Sequence, residues 1–200
     1  KITSKVKLNP NGEISAATSA RHVSMRQAYR ASIFHCLDDP GEGDRSSASE
    51  YFEDGILVVD DARVLDAGPA SALLGQLGDT PVEDLTGRLI VPGFIDCHVH
   101  FPQLDIIGSY GTELLEWLER YAYPAEAGYA NEAHARRAAG LFLDELLAAG
   151  TTTAAVFATV HAHSADALFS AAEARNMRLI TGKVLMDRHC PEALRDTPDS

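Results

Sequence analysis

The run Pro92-Gly93-Phe94-Ile95-Asp96-Cys97-His98-Val99-His100 constrains the fold more than any other stretch of this chain. Pro92 has no amide to give to a sheet ladder, so a strand placed here begins after it, at Gly93. Phe94, Ile95, Cys97 and Val99 are apolar whatever their parity, as a strand covered on both faces requires. Imidazoles appear only at its C-terminal end. That arrangement fits the first strand of a (β/α)8 barrel, where active sites sit at the C-terminal ends of the strands. Alternate side chains of a strand share a face, so His98 and His100 project together, with Asp96 one step behind. Two neutral imidazoles held in this way can grip one metal ion; a catalytic zinc takes about three protein ligands and keeps a position open for water. The plainer reading, two ordinary histidines beside a turn, is what a lone His-x-His would support. Cys97 should point to the opposite face as a small buried apolar residue.

The rest of the chain alternates between helix and strand. Thr112 offers its hydroxyl as a cap for a short helix over 113–121, with Leu114, Leu118 and Tyr121 near one face and Pro124 ending the element. Asn131 caps a longer one. Its Ala135, Ala138, Ala139, Phe142, Leu146 and Ala149 form a helical stripe that Gly150 closes. Residues 151–158 are β-branched and apolar enough for a second strand, Ser164 opens a helix running to about Asn176, and residues 178–186 make a third strand. The β, α, β, α, β order predicts parallel pairing with crossover helices. Upstream, short Ile-, Val- and Leu-rich runs at 29–37, 55–65 and 83–91 suggest strands of a small β domain, with a loop over 38–49.

These residues carry a resemblance. The run from Pro92 to His100 is similar to the metal-binding first strand of the amidohydrolase superfamily of metal-dependent hydrolases. Phe101-Pro102-Gln103, Glu113-Leu114-Leu115-Glu116-Trp117-Leu118, Tyr123-Pro124-Ala125-Glu126, Gly150-Thr151-Thr152-Thr153, Phe157-Ala158-Thr159-Val160-His161 and Gly182-Lys183-Val184-Leu185-Met186-Asp187 resemble, in that order, the guanine-deaminating members of the superfamily. The likeness runs from about Tyr29 to Ser200 and is densest from Pro92 onward.

The resemblance implies an α/β protein: the N-terminal part of a (β/α)8 barrel, about three β/α units over 92–200, preceded at 29–91 by part of a small β-sandwich. Residues 1–28 are expected to be an extension or a disordered arm, with Met25 as a conceivable start. It implies hydrolytic deamination of guanine to xanthine and ammonia at one Zn2+, with Fe2+ as the alternative ion. His98 and His100 would be metal ligands, and Gln103 would bind the purine. Phe101, and with less reason Trp117, would line the pocket. Asp96 is expected to support the ligands from behind. The remaining ligands, two histidines and an aspartate, and a proton-carrying glutamate are expected outside this chain. His161 and His163, a second His-x-His, are expected to be loop histidines apart from the metal.

Length, charge and cysteines bound these readings. A complete barrel typically takes about 250 residues, and this chain has 200, so it is expected to be part of a larger protein. Lys and Arg number 17 against 29 Asp and Glu, a net charge of −12, which repels a phosphate backbone and argues against nucleic acid as partner. No apolar run approaches the roughly 20 residues of a membrane span, no export signal is recognisable, and a cytoplasmic setting is expected. Three cysteines write neither a disulfide framework nor a Cys-x-x-Cys. The Pro-Cys-x-x-Cys of the other zinc deaminase architecture is also missing. The resemblance further suggests a homodimer. Two other readings stay open: a superfamily member acting on a different heterocycle, and a truncated, inactive fragment or binding module.

Overall fold

The computed structural model describes residues 26–42, 47–111 and 113–197, and the chain divides into two units, Lys1–Pro92 and Gly93–Ser200. Of the extension read over 1–28, residues 1–25, Met25 among them, fall outside the described residues, as does the Thr112 cap, while Gln27 and Ala28 belong to a strand and not to a disordered arm.

In the first unit, strands β1 (Gln27–Cys36), β2 (Ser49–Asp60), β3 (Arg63–Pro69) and β4 (Val82–Ile90) form one sheet in the order β3-β2-β1-β4. β1 runs antiparallel to β2 and parallel to β4. The short helix α1 (Ala70–Leu73) follows β3, and Ala28, Ile56, Val58, Ala70 and Leu77 make the core beside it. The run at 55–65, read as one strand, is two. Asp61 and Ala62 take φ of 47° and 59°, and Asp60 pairs with Arg63 across them, the two-residue hairpin whose twist matches its strands. No Gly marks that turn, which is why sequence alone runs the two strands together. β1 begins at Gln27, two residues before the run at 29–37.

The second unit is built on a parallel sheet in the order β5-β6-β7: β5 (Phe94–His100), β6 (Thr151–Phe157) and β7 (Arg178–Gly182). Helix α4 (Glu132–Ala148) connects β5 to β6 and α5 (Ala162–Ala174) connects β6 to β7, as the alternation predicts. Asn131 caps α4, its Oδ1 accepting from the His134 amide at 3.0 Å. The expected stripe forms at Ala135, Ala138, Ala139 and Phe142, with Leu143 added; these share one core with Ala154 and Val156 of β6 and Ala165, Leu168 and Ala172 of α5. Ala149, at the end of the stripe, is exposed, and Gly150 closes the helix at φ 86°.

Three local expectations are corrected. Pro124 does not stop its helix: α2 (Leu114–Trp117) passes through one π turn (Leu118–Ala122) into α3 (Tyr123–Gly128). A proline lacks one amide and its ring crowds the carbonyl four residues back, and the wider turn just before it absorbs both. α5 starts at Ala162 with His161 at its cap, not at Ser164; the Ser164 hydroxyl donates to the His161 carbonyl at 2.8 Å. The third strand ends at Gly182, and beyond it the Val184 amide bonds the Thr159 carbonyl at 3.0 Å.

β5 is not covered on both faces. It pairs only with β6 among the described residues, and Phe94 and Ile95 remain 58% and 69% exposed. Cys97, expected to be buried, is exposed as well. The register is irregular as well: Asp96 pairs with Ala154 but Val99 with Val156, so β5 carries one extra residue in this stretch, a bulge. A compensating slip lies between Phe94 and Ile95, where Thr152 is the extra residue of β6. There Gly93 is required, because a Cβ on it would fall 2.1 Å from the Thr152 hydroxyl.

Candidate metal centre

The bulge sets the histidines. The Asp96 carboxylate turns back along its own strand and accepts from the His98 amide at 3.0 Å, holding the kink. Past it the strand resumes, and His98 and His100 leave the same face with their Nε2 atoms 3.2 Å apart. Their ring centroids are 5.1 Å apart with planes at 53°. Two nitrogens at that separation, each about 2.0–2.1 Å from one zinc, would subtend about 100–106°, near the tetrahedral angle. The pair therefore fits one small divalent ion. His98 is exposed and His100 half-buried. Burial, and then the neighbouring His98, push the His100 imidazole below its ordinary value, which favours the neutral ring that binds metal. Among the described residues no cluster of three or more His, Cys, Asp or Glu is placed to hold an ion.

His98, His100 and Gln103 line one cavity of about 310 Å3 together with Val99, Leu104, Ile107 and Phe142. Gln103 sits on the 3-10 turn Phe101–Ile106 that directly follows β5, and its half-buried side chain makes no hydrogen bond among the described residues. Its amide is thus free to offer donors and an acceptor to a ligand.

Phe101, expected to line that pocket, lies elsewhere. It is fully buried, edge-on to Tyr129 at 4.8 Å and tilted against Phe142 at 5.6 Å. The 3-10 turn after His100 rotates it into the helical core and leaves Gln103 facing the cavity. Trp117 packs over Gly111 and donates its indole N–H to the Ser109 carbonyl at 3.2 Å, a loop contact.

His161 and His163 form a different kind of pair. Their rings stack at 14° and 5.7 Å, and His163 Nε2 donates to the Tyr129 carbonyl at 2.7 Å. The His161 Nε2 is buried with no partner among the described residues, and burial followed by His163 lowers its proton affinity.

One contributor was not legible along the chain. Phe157, the last residue of β6, stands opposite His100 in the register and stacks on its ring at 4.8 Å and 11°, with the His98 ring at 5.0 Å. The signal that finds it is the pairing of two strands separated by α4, which only the register reveals.

Comparison with known proteins places these features. The family model described as "Amidohydrolase family" matches residues 89–200. A guanine deaminase of Escherichia coli (strain K12) is 46% identical over 169 residues, 84% of this chain and 38% of that protein. The crystal structure of guanine deaminase from Bradyrhizobium japonicum superposes with a TM-score of 0.81 at 38% identity, covering 87% of this chain and 38% of the other. A guanine deaminase of C. acetobutylicum, solved with guanine bound in its active site, gives 0.74 at 28% identity over 86% of this chain and 39% of its own. The chain thus spans about two fifths of the length of these relatives.

Proposed function

Because this chain belongs to the amidohydrolase family, we propose that it takes part in the hydrolytic deamination of guanine to xanthine and ammonia, supplying two metal ligands and one side of the substrate site. The observation that carries the reading is the convergence of the His98 and His100 Nε2 atoms at 3.2 Å beside an uncommitted Gln103. In this reading the three parallel strands and their helices are the first units of a (β/α)8 barrel over 92–200. The four-stranded sheet is part of a β-sandwich over 29–91.

The ion is one zinc, with Fe2+ as the alternative, since two neutral imidazoles suit a borderline-soft divalent cation. When bound, such an ion supplies a water whose pKa falls from about 15.7 toward about 7 and which can therefore attack at neutral pH. His98 and His100 would hold that ion through their converging Nε2 atoms. Gln103 would hold the mixed donor and acceptor edge of the purine beside the two imidazoles, converting an encounter into a set geometry. The bulged strand keeps both imidazoles on the face where the substrate enters. A homodimer is the assembly proposed with it.

The test uses the whole protein: ammonia release from guanine, adenine, cytosine and triazines, with metal content measured alongside. His98→Ala and His100→Ala should each lose the metal and the activity together. Ammonia from another ring and none from guanine would overturn the substrate; full metal retention in both variants would overturn the site.

A further inference from the structure

Ligating histidines are usually oriented by a hydrogen bond from the second ring nitrogen to a carboxylate or carbonyl. Among the described residues neither His98 nor His100 has one; their only mutual polar contact is between the two Nε2 atoms, and the Asp96 carboxylate is used on a backbone amide. What their rings do touch is Phe157. It lies nearly parallel to the His100 ring at 11° and 4.8 Å, and meets His98 at 49° and 5.0 Å. The three rings close a triangle with edges of 4.8, 5.0 and 5.1 Å.

We propose that Phe157 is a positioning residue for the metal: its flat face sets the orientation of both imidazoles so that their Nε2 atoms converge, a task given elsewhere to hydrogen bonds. The reading rests on His98 and His100 being metal ligands. The register sets Phe157 opposite His100 at the end of β6. Phe157 also borders a hollow of about 560 Å3 lined by Ile180 and Leu185. The face it turns to the imidazoles is the one that the register places opposite His100. Offset aromatic pairs attract one another beyond their burial, which opposes free rotation of each imidazole about its χ2.

The experiment compares Phe157→Leu, which keeps apolar bulk without a flat face, with Phe157→Tyr, which keeps the ring, in the whole protein. Zinc affinity is read by competition with a chromophoric chelator, and ligand geometry by the visible bands of the Co2+ form. Phe157→Leu should weaken the metal about 10- to 100-fold, the range for loss of an orienting partner, and shift the Co2+ bands. Phe157→Tyr should stay within about threefold, and Ile180→Ala, on the same hollow but not touching the imidazoles, should match the parent. Parent-like affinity in Phe157→Leu, or an equal loss in Phe157→Tyr, overturns the proposal. If Phe157→Leu does not fold, Phe157→Met is judged by the same criteria. His98→Ala tests the underlying reading separately: should it retain metal, the ligand assignment fails whatever the Phe157 variants do.

Discussion

Replacing Phe101 separates two pictures of the residue that follows the His-x-His. As a pocket residue it would contribute little to stability, because substitutions away from packed features usually stay within about 0.5 kcal/mol. The structure buries it completely between Tyr129 and Phe142, at 4.8 and 5.6 Å. Phe101→Ala empties a ring-sized volume that its neighbours fill only in part, and should cost about 3–5 kcal/mol. Phe101→Leu keeps most of the apolar volume and loses two aromatic contacts of about 0.5–1.5 kcal/mol each, so about 1–3 kcal/mol. Amide hydrogen exchange along α4 of the whole protein is the assay, because it reads the opening of the unit the ring supports. A loss of 3 kcal/mol corresponds to more than about a hundredfold faster exchange there. Gln103 hangs from the same 3-10 turn, so activity should fall with stability in both variants. Unchanged exchange with a changed KM would refute the burial argument and return Phe101 to the pocket.

Asn131→Ala removes the cap of α4 and should cost about 0.5–2 kcal/mol in thermal or urea unfolding, with no effect on metal affinity. Ser164→Ala should cost about 1–3 kcal/mol, because the buried Thr159 amide and hydroxyl, now 3.2 and 2.8 Å from the Ser164 oxygen, lose that partner. The Glu126 carboxyl is pushed above its ordinary value by burial. A folded-state value above the unfolded one means that the native protein holds this proton more tightly, so stability declines as pH rises through the raised value. Glu126→Gln should therefore melt higher than the parent at pH 7 and gain nothing below the ordinary carboxylate range. An equal gain at both pH values would show that charge is not the cause.

Features whose cause is local were readable from the residues. The α4 stripe, its Asn131 cap and the i, i+2 spacing of His98 and His100 follow from one helix turn or one strand pleat, and each appears where the pattern puts it. Features set by distant partners were not. The turn at Asp61 and Ala62 lacks the glycine that normally announces positive φ, and its strands are fixed by pairing across it. Pro124 reads as a stop until a π turn is allowed ahead of it. Ser164 has the chemistry of a cap, but the chain enters α5 two residues earlier, at Ala162, and uses the hydroxyl to bind Thr159 just beyond the strand end. Phe101 and Gln103 are two residues apart in a turn whose rotation decides which of them meets the core, and periodicity says nothing of a 3-10 turn. Phe157 gains its position from a neighbouring strand more than fifty residues away in sequence, a relation that only the register expresses.

The additional residue between Asp96 and Val99 resets the phase of the pleat just ahead of the donor pair. With that residue removed, Asp96 opposite Ala154 and His100 opposite Phe157 would keep their partners in an unbroken ladder, so the imidazoles would hold their face while the Asp96 grip on the following amide would be lost. Carried into another sheet, the two histidines would share a face even on a straight strand, and what the kink adds is the Asp96 carboxylate turned onto the His98 amide.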